Sequence, residues 1–505
     1  MRCIRCISIL LSAALLFTLS GCSQEPDLSG ETSLSGADSM DETGVSIRVP
    51  EPAEDRLPLV EDGAIRMYYD DRLSIAEIAE NAAAVELSDE SVVVHDTQNN
   101  QLIAVGVGKT DIAVDGATYT LTVESAPISL VMITGHSIGA GQTGIKAKSV
   151  LCQDGQAYST HGVKHANGET EGIGIGYDAD VKPDGIDAFT AAGEGTIGEG
   201  SGLAYRWNQI TGEKIWVLNA AVGGSSLDQW TKGTKNYENA VTLFRFAQKI
   251  LSSEIALGHY RLKDMAIIYH SAANYEYNNV VYYDEMAQKW YHSMWNGFKE
   301  DLSMDMTGDG EKETVNALGL VPIYTTGKMD IRHDKLANYC MGAMDVYPDI
   351  FMASMATRYW LADVNSFPLI DYETHGEPVY MPQRKEHILS DGVHLHQEAY
   401  NAAGMDIAEN LFAHLRTPVL LESLTLQNDD GNKVYDEVTL KRVGASISLF
   451  PIVEPMAVSD LTFIVSDNLE IVYPCVITAV APGTGTLTIS QGNKVIRTIT
   501  IEVKE

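Results

Sequence analysis

Cysteine is scarce in this chain and poorly placed for cross-linking. The 505 residues include six cysteines. Cys3, Cys6 and Cys22 crowd the N-terminus. Cys152, Cys340 and Cys475 remain, odd in number and widely spaced. That pattern provides neither a disulfide framework nor zinc-ligand spacing, so these three are expected as buried thiols. Positive charge is also thin. Lys and Arg total 35 against 69 Asp and Glu, a net charge of −34. Such a field repels phosphate backbones and anionic lipid surfaces, which excludes nucleic acid as a partner. Long apolar runs are missing except at the N-terminus, where Ile7 to Leu19 is too short for a comfortable membrane span. What is present is ordinary globular material: 45% hydrophobic and 21% charged residues. At about 150 residues per domain this length suggests three or so domains.

Arg2 and Arg5 precede the apolar run, and Leu19-Ser20-Gly21-Cys22 follows it. A basic start and an apolar core of this length form an export signal over 1–21. Its end resembles a bacterial lipobox. The resemblance implies a lipid-bearing Cys22 at the start of the mature chain, outside the cytoplasm, anchored to the bacterial membrane and displayed on the cell surface. From 22 to 55 the chain is rich in Ser, Asp, Glu and Gly and too poor in apolar surface to pack, so it reads as a flexible tether.

Two segments look like copies of one β module. The first holds Ser88-Asp89, then Leu102 to Gly108, then alternation from Thr110 to Val123. The second holds Ser466-Asp467, then Val476 to Gly483, then alternation from Thr486 to Val503. Period-two apolar patterns broken by Gly, Asn and Asp turns indicate half-buried antiparallel strands, and several short ones indicate a sandwich. Both segments, placed at 56–126 and 419–505, resemble bacterial Ig-like domains of group 2. The resemblance implies spacers or modules that touch glycan or cell wall.

The middle, 127–418, has a different grammar. Ile128–Thr134, Ile215–Asn219, Met265–His270 and Leu318–Tyr324 are apolar runs fit for buried strands. Tyr237–Leu251 and Gln397–Leu415 carry apolar residues at helical spacing. Alternating strands and helices predict a parallel sheet covered on both faces, a three-layer α/β/α arrangement, with ligands at the carboxyl ends of the strands.

The chemistry-bearing motifs sit at those ends. Gly135-His136-Ser137-Ile138-Gly139 follows the first strand. Read alone it matches the G-x-S-x-G nucleophile elbow of α/β-hydrolases. That fold needs several strands before its elbow, and here a β module ends about ten residues upstream. Asp391-Gly392-Val393-His394 stands just before the last helix. An Asp three residues ahead of a His can hold the imidazole by its Nδ1 proton and leave Nε2 to accept a serine proton. A serine after the first strand with D-x-x-H before the last helix resembles the SGNH hydrolases, with a flavodoxin-like sheet. Closest in pattern are carbohydrate esterases that remove acetyl groups from xylan or sialic acid. Their first block reads Gly-Gln-Ser where this chain has Gly135-His136-Ser137.

The resemblance extends to Asn219-Ala220-Ala221-Val222-Gly223-Gly224-Ser225-Ser226-Leu227-Asp228-Gln229-Trp230, whose glycine would give a backbone N–H to an oxyanion. Gly224 is the first choice and Gly223 the alternative. Tyr269-His270-Ser271-Ala272-Ala273-Asn274 departs from the family's G-x-N-D or Gln-Gly-Glu block, with Ala272 for the glycine and Tyr275 for the aspartate. Asn274 is the side-chain donor this alignment supplies.

The resemblance thus implies a Ser137 nucleophile, a His394 base oriented by Asp391, and an oxyanion hole of Ser137, Gly224 and Asn274. Ser137 Oγ is expected within hydrogen-bond reach of His394, with Asp391 behind it. The implied substrate is an acylated, O-acetylated carbohydrate, and no cofactor or metal enters the chemistry. His136, Trp230, His270 and Tyr275 are expected to line the pocket, and the long stretch Lys146–Glu199 to wall the cleft. An SGNH lipase or thioesterase, and a non-catalytic surface adhesin on the same scaffold, are the competing functions. Asp305-Met306-Thr307-Gly308-Asp309-Gly310 begins like a calcium loop, but Asn316 stands where an EF-hand needs glutamate, so a solvated acidic turn is expected.

Overall fold

The computed structural model describes residues 57–61, 63–80, 82, 84–145, 148–160, 186–188, 198–271, 283–322, 340, 343–344, 347–362, 367, 388–416, 423–427, 433–454, 461–473, 476–491 and 494–505. The expected signal, Cys22 and the tether lie outside them, as do Cys475, Asn274, Tyr275 and most of the stretch between Lys146 and Glu199. Among the described residues no helix is long and apolar enough to cross a membrane.

The N-terminal β segment runs through β1 (Leu59–Glu61), β2 (Ala64–Tyr68), β3 (Arg72–Ser74), α1 (Ile75–Ile78), β4 (Val85–Leu87), β5 (Val93–Asp96), β6 (Gln101–Ala104), β7 (Gly108–Val114) and β8 (Ala117–Glu124). Two sheets result, ordered β1-β2-β8-β7-β4 and β3-β6-β5. Ile65, Ile112 and Leu121 from one meet Leu73, Val93 and Leu102 from the other in a common core. Most pairs are antiparallel, but β2 runs parallel to β8.

The C-terminal segment repeats this plan. It contains β16 (Ser423–Gln427), β17 (Glu437–Leu440), β18 (Ser446–Ser448), β19 (Phe450–Glu454), β20 (Leu461–Val465), β21 (Leu469–Tyr473), β22 (Val476–Ala479), β23 (Gly483–Gln491) and β24 (Lys494–Val503). Its main sheet is ordered β17-β24-β23-β20, beside a sheet β18-β22-β21. β17 pairs parallel with β24, as β2 does with β8.

Between them lies an α/β body. Its elements are β9 (Ala126–Gly135), β10 (Ala157–Thr160), β11 (Ile186–Ala188), α2 (Gly200–Thr211), β12 (Lys214–Asn219), α3 (Lys235–Ala256), β13 (Tyr260–Ser271), α4 (Tyr283–Asp301), β14 (Ala317–Pro322), β15 (Ile350–Met352), α5 (Ala356–Ala362) and α6 (Gln397–Arg416). The seven-stranded sheet is ordered β11-β10-β12-β9-β13-β14-β15. All its neighbours are parallel except β11, which runs antiparallel to β10. Every residue of β9 is buried, as a strand covered on both faces must be. Ile128, Leu130 and Met132 of β9 pack with α3 and α4, whereas Val131 and Ile133 pack with α2 and α6. The long Lys146–Glu199 stretch is therefore not all loop, because β10 and β11 extend the sheet by two strands.

The helices α2 and α6 cross with their backbones almost touching. A Cβ on Gly202 would collide with the Asn401 carbonyl, and one on Gly404 with the Glu199 carbonyl. This close approach places the second turn of α6 beside the first turn of α2.

Chain order places β9 where the winding reverses. Successive crossovers go to β10 and β12 on one side, then to β13, β14 and β15 on the other. In open parallel sheets the crevice for ligands opens at that reversal, beyond the carboxyl ends of the strands. Gly135, the last residue of β9, stands there.

One partly buried acid on α6, Asp406, sets a pH dependence of stability. Burial raises the Asp406 carboxyl to about 7, against the opposing hydrogen bonds of Ser354 and Asn410. Its Oδ2 is buried with no hydrogen-bond partner. A raised carboxyl keeps its proton in the folded chain after the unfolded chain has lost it. Stability therefore falls as pH rises from the ordinary carboxylate range through about 7, and is level above. Asp406→Asn should remove this slope and stabilise the protein at pH 8 by roughly 1–2 kcal/mol. Thermal melts at pH 5 and pH 8 measure it; a variant that melts below the parent at both values contradicts the account.

Candidate active site

The site is built on the turn after β9. Gly135 has φ of 103°, and any Cβ there would drive into the backbone of His270 on β13. Only glycine lets the strand end against its neighbour and swing Ser137 upward. The turn is held from below. Ala140 N–H donates to His136 O at 3.0 Å and Gln142 N–H to Ser137 O at 3.0 Å. Asn219, the last residue of β12, donates its Nδ2 to Gly139 O at 2.8 Å.

The base comes from the loop before α6. A bridge between Leu389 and Leu395, and a 2.7 Å bond from Ser390 N–H to His394 O, pinch this loop shut. Asp391 folds its own loop as well. Its Oδ1 accepts the N–H groups of Val393 at 3.0 Å and His394 at 2.8 Å. Its Oδ2 takes the Nδ1 proton of His394 at 2.7 Å. His394 Nε2 then faces Ser137 Oγ at 2.8 Å, across 257 residues of sequence. Burial alone would raise the Asp391 carboxyl, but the hydrogen bonds from His394 and Val393 outweigh it and hold the group at about 2. The charge that orients His394 is therefore present throughout the neutral and mildly acidic range.

His136 touches the same hydroxyl from the other side. Its Nδ1 lies 3.3 Å from Ser137 Oγ and accepts the N–H of Ile138 at 3.2 Å. Burial, followed by the charges of His270 and His394, lowers its pKa to about 3, so the ring is neutral. With Nδ1 occupied as an acceptor, its proton sits on Nε2.

The glycine pair after β12 divides into two roles. A Cβ on Gly223 would lie 3.9 Å from Ser137 Cβ and 4.0 Å from Gln142 Oε1, whereas one on Gly224 would meet nothing within 4 Å. Gly224 has φ of 74° and makes the turn. Gly223 is the glycine of the pair that lies beside the serine. Among the described residues, no acceptor takes the N–H of Ser137 or of Gly223.

Two residues expected at the pocket wall lie deeper. Trp230 is fully buried against Tyr269, and its Nε1–H donates to Ser225 Oγ at 2.9 Å. Ser225 in turn donates to Gly135 O at 3.0 Å. Trp230 thus braces the nucleophile turn from within the core. His270 is buried beneath the turn, with its Nε2 bonded to the carboxylate of Glu199 at the start of α2. The sequence pattern missed Glu199, which lies in the Gly-rich stretch with no local sign of its partner. The acidic turn at Asp305 satisfies itself: Oδ1 accepts Gly308 N–H at 2.6 Å and Oδ2 accepts Gly310 N–H at 3.1 Å. Among the described residues no group of three or more potential metal ligands converges.

No family model matches the chain, and no curated protein does. Solved structures resemble it distantly. One is a protein of Arabidopsis thaliana with 14% identity and a TM-score of 0.34, covering 57% of this chain and 98% of that one. Another is a carbohydrate acetylesterase from Xanthomonas citri with 13% identity and a TM-score of 0.35, covering 89% of this chain and 98% of that one. A third is an endo-β-1,4-mannanase from Thermotoga petrophila with 13% identity and a TM-score of 0.21, covering 60% of this chain and 70% of that one. Likenesses this loose carry no functional argument.

Proposed function

We propose that this chain is a serine esterase of the SGNH class that removes acyl groups, in the first place O-acetyl groups, from carbohydrate outside the cytoplasm. One observation carries the reading: Ser137 Oγ, His394 Nε2, His394 Nδ1 and Asp391 Oδ2 form a continuous hydrogen-bonded line with links of 2.8 and 2.7 Å. A hydroxyl, an imidazole and a carboxylate in that order make an activated nucleophile.

The reaction is acyl transfer in two halves. Ser137 Oγ attacks the ester carbonyl carbon while its proton passes to His394 Nε2. Negative charge collects on the carbonyl oxygen, where the N–H groups of Ser137 and Gly223 receive it, joined by Asn274 in the family pattern. Collapse breaks the ester C–O bond, and His394 returns the proton to the leaving sugar hydroxyl. Water then repeats the sequence on the acyl-serine and frees the carboxylic acid. Asp391 keeps the Nδ1 proton in place throughout.

The signal and lipobox pattern supports a lipid anchor at Cys22, and the two β sandwiches fit spacers or glycan-contacting modules of the bacterial Ig-like type. Acetate release from acetylated xylans, sialosides and pectins tests the substrate. Release from one of these, with p-nitrophenyl acetate cleaved faster than long-chain esters, is the expected result. Rates that climb steeply with chain length would transfer the site to lipids. Asp391→Asn should lower kcat by about a hundredfold with little change in KM, because an amide cannot hold the right tautomer. Its solvent-exposed flank allows water to substitute in part. A kcat within threefold of the parent would remove Asp391 from the mechanism.

A further inference from the structure

The two halves of the catalytic line come from distant parts of the chain, and something must fix their separation. Thr143 is placed to do this. It ends the turn that carries Ser137, six residues on, and its φ is 70°. A β-branched residue in the left-handed region is a true outlier, because its Cβ substituents crowd the backbone there. Nothing in the turn requires threonine's shape, since the side chain is exposed to solvent. Its hydroxyl is what the position uses. Thr143 Oγ1 donates to the Leu395 carbonyl at 3.0 Å, the residue directly after the base. The same oxygen accepts the hydroxyl proton of Ser390 at 2.7 Å, the residue directly before Asp391. Ser390 Oγ also lies 3.1 Å from His394 O. One side chain thus grips both ends of the Asp391–His394 loop from the nucleophile's own turn. A second tie runs alongside it, from Tyr400 OH on α6 to Gln142 O at 2.9 Å.

We propose that Thr143 is a positioning residue that sets the distance between Ser137 and His394, and that its left-handed backbone is tolerated for this purpose. The proposal rests on the esterase reading. It makes the activity of Thr143→Gly fall without a matching loss of stability, which a purely structural residue would not do. Thr143→Gly relieves the backbone crowding and deletes the clasp. Thr143→Val keeps the shape and the strain and deletes only the hydroxyl. Thr143→Ser keeps the hydroxyl.

The test measures kcat, KM and melting temperature for these three variants and for Ser137→Ala, with p-nitrophenyl acetate as the substrate. Thr143→Gly and Thr143→Val should each lose about tenfold in kcat with KM changed less than about twofold, because a misplaced base costs turnover, not binding. Thr143→Ser should restore kcat to within about threefold of the parent, and Thr143→Gly should melt close to the parent, because relief of the left-handed backbone offsets the lost hydrogen bonds. Activity that depends on Ser137 but is indifferent to Thr143→Gly and Thr143→Val overturns the role of Thr143 alone. So does a kcat that falls only in step with melting temperature. Activity that survives Ser137→Ala overturns the esterase reading, and the role of Thr143 with it.

Discussion

Ser137→Ala should abolish ester hydrolysis, by a factor on the order of 10⁴ or more in kcat, in a chain that stays folded. The size follows from what is removed. Without Oγ no acyl-enzyme forms, and His394 can at best direct a water molecule. The fold should barely respond. The lost side chain donates one hydrogen bond, to His394 Nε2 at 2.8 Å, and a bond of this kind contributes about 1 kcal/mol net. The backbone contacts of the turn, from Ala140 to His136 O and from Gln142 to Ser137 O, do not involve the hydroxyl. A fluorophosphonate probe gives an independent readout. It should label the parent at Ser137 and fail on the alanine variant. Hydrolysis that persists in the variant, or a parent that resists the probe, would leave the hydrogen-bonded line as a structural feature of a binding protein and favour the adhesin reading.

Much of the α/β body could be read from the sequence because its strands are apolar runs. The stretches singled out at Ile215–Asn219 and Met265–His270 fall within β12 and β13, and Tyr237–Leu251 falls within α3. The helix α4 carries a weaker signal. Ala287, Tyr291, Met294, Trp295 and Phe298 form a buried stripe at helical spacing, but Gln288, Lys289 and His292 dilute the hydropathy of the stretch. The helix α2 was hidden for another reason. Gly200 and Gly202 look like loop residues, and the need for Gly202 appears only when α6 is laid across it. The site divides in the same way. Ser137, Asp391 and His394 were visible because each belongs to a short motif, and the structure brings the three together. Thr143 and Glu199 act on partners 252 and 71 residues away, and no local pattern records such a contact. Trp230 was misplaced because an aromatic beside a glycine pair fits a cleft wall as well as a core. Its burial depends on core partners such as Tyr269 of β13, distant in sequence.

Lys214→Met should destabilise the protein by about 3–5 kcal/mol, the largest loss expected from one substitution away from the site. Lys214 opens β12, and only 1% of its side chain is exposed, the same as its partner Asp71 in the turn after β2. The ammonium donates to Asp71 Oδ1 at 2.8 Å and to Gly155 O at 2.7 Å. Asp71 also accepts Gln156 Nε2 at 2.9 Å and Tyr68 N–H at 2.7 Å. The pair is therefore completely buried where the N-terminal sandwich meets the α/β body. Removing the lysine strands a carboxylate that water cannot reach, and the cost is its desolvation more than the lost attraction. The double variant Asp71→Leu, Lys214→Met should recover much of the loss, since an apolar pair of similar size leaves no charge to solvate. Other contacts support the same junction. Ser125 alone separates β8 from β9, Ala126 N–H donates to His259 O at 2.9 Å, and Tyr69 stacks on His259 with ring centroids 4.0 Å apart. The sandwich is thus docked onto the strand that carries the nucleophile turn, and its loosening should be felt there. Hydrogen exchange measures this: in Lys214→Met the amides of β2, β8 and β9 should exchange faster together. Faster exchange confined to β2 and β8 would make the sandwich an independent spacer, and an unchanged melting temperature would show that the buried pair contributes nothing to holding the junction.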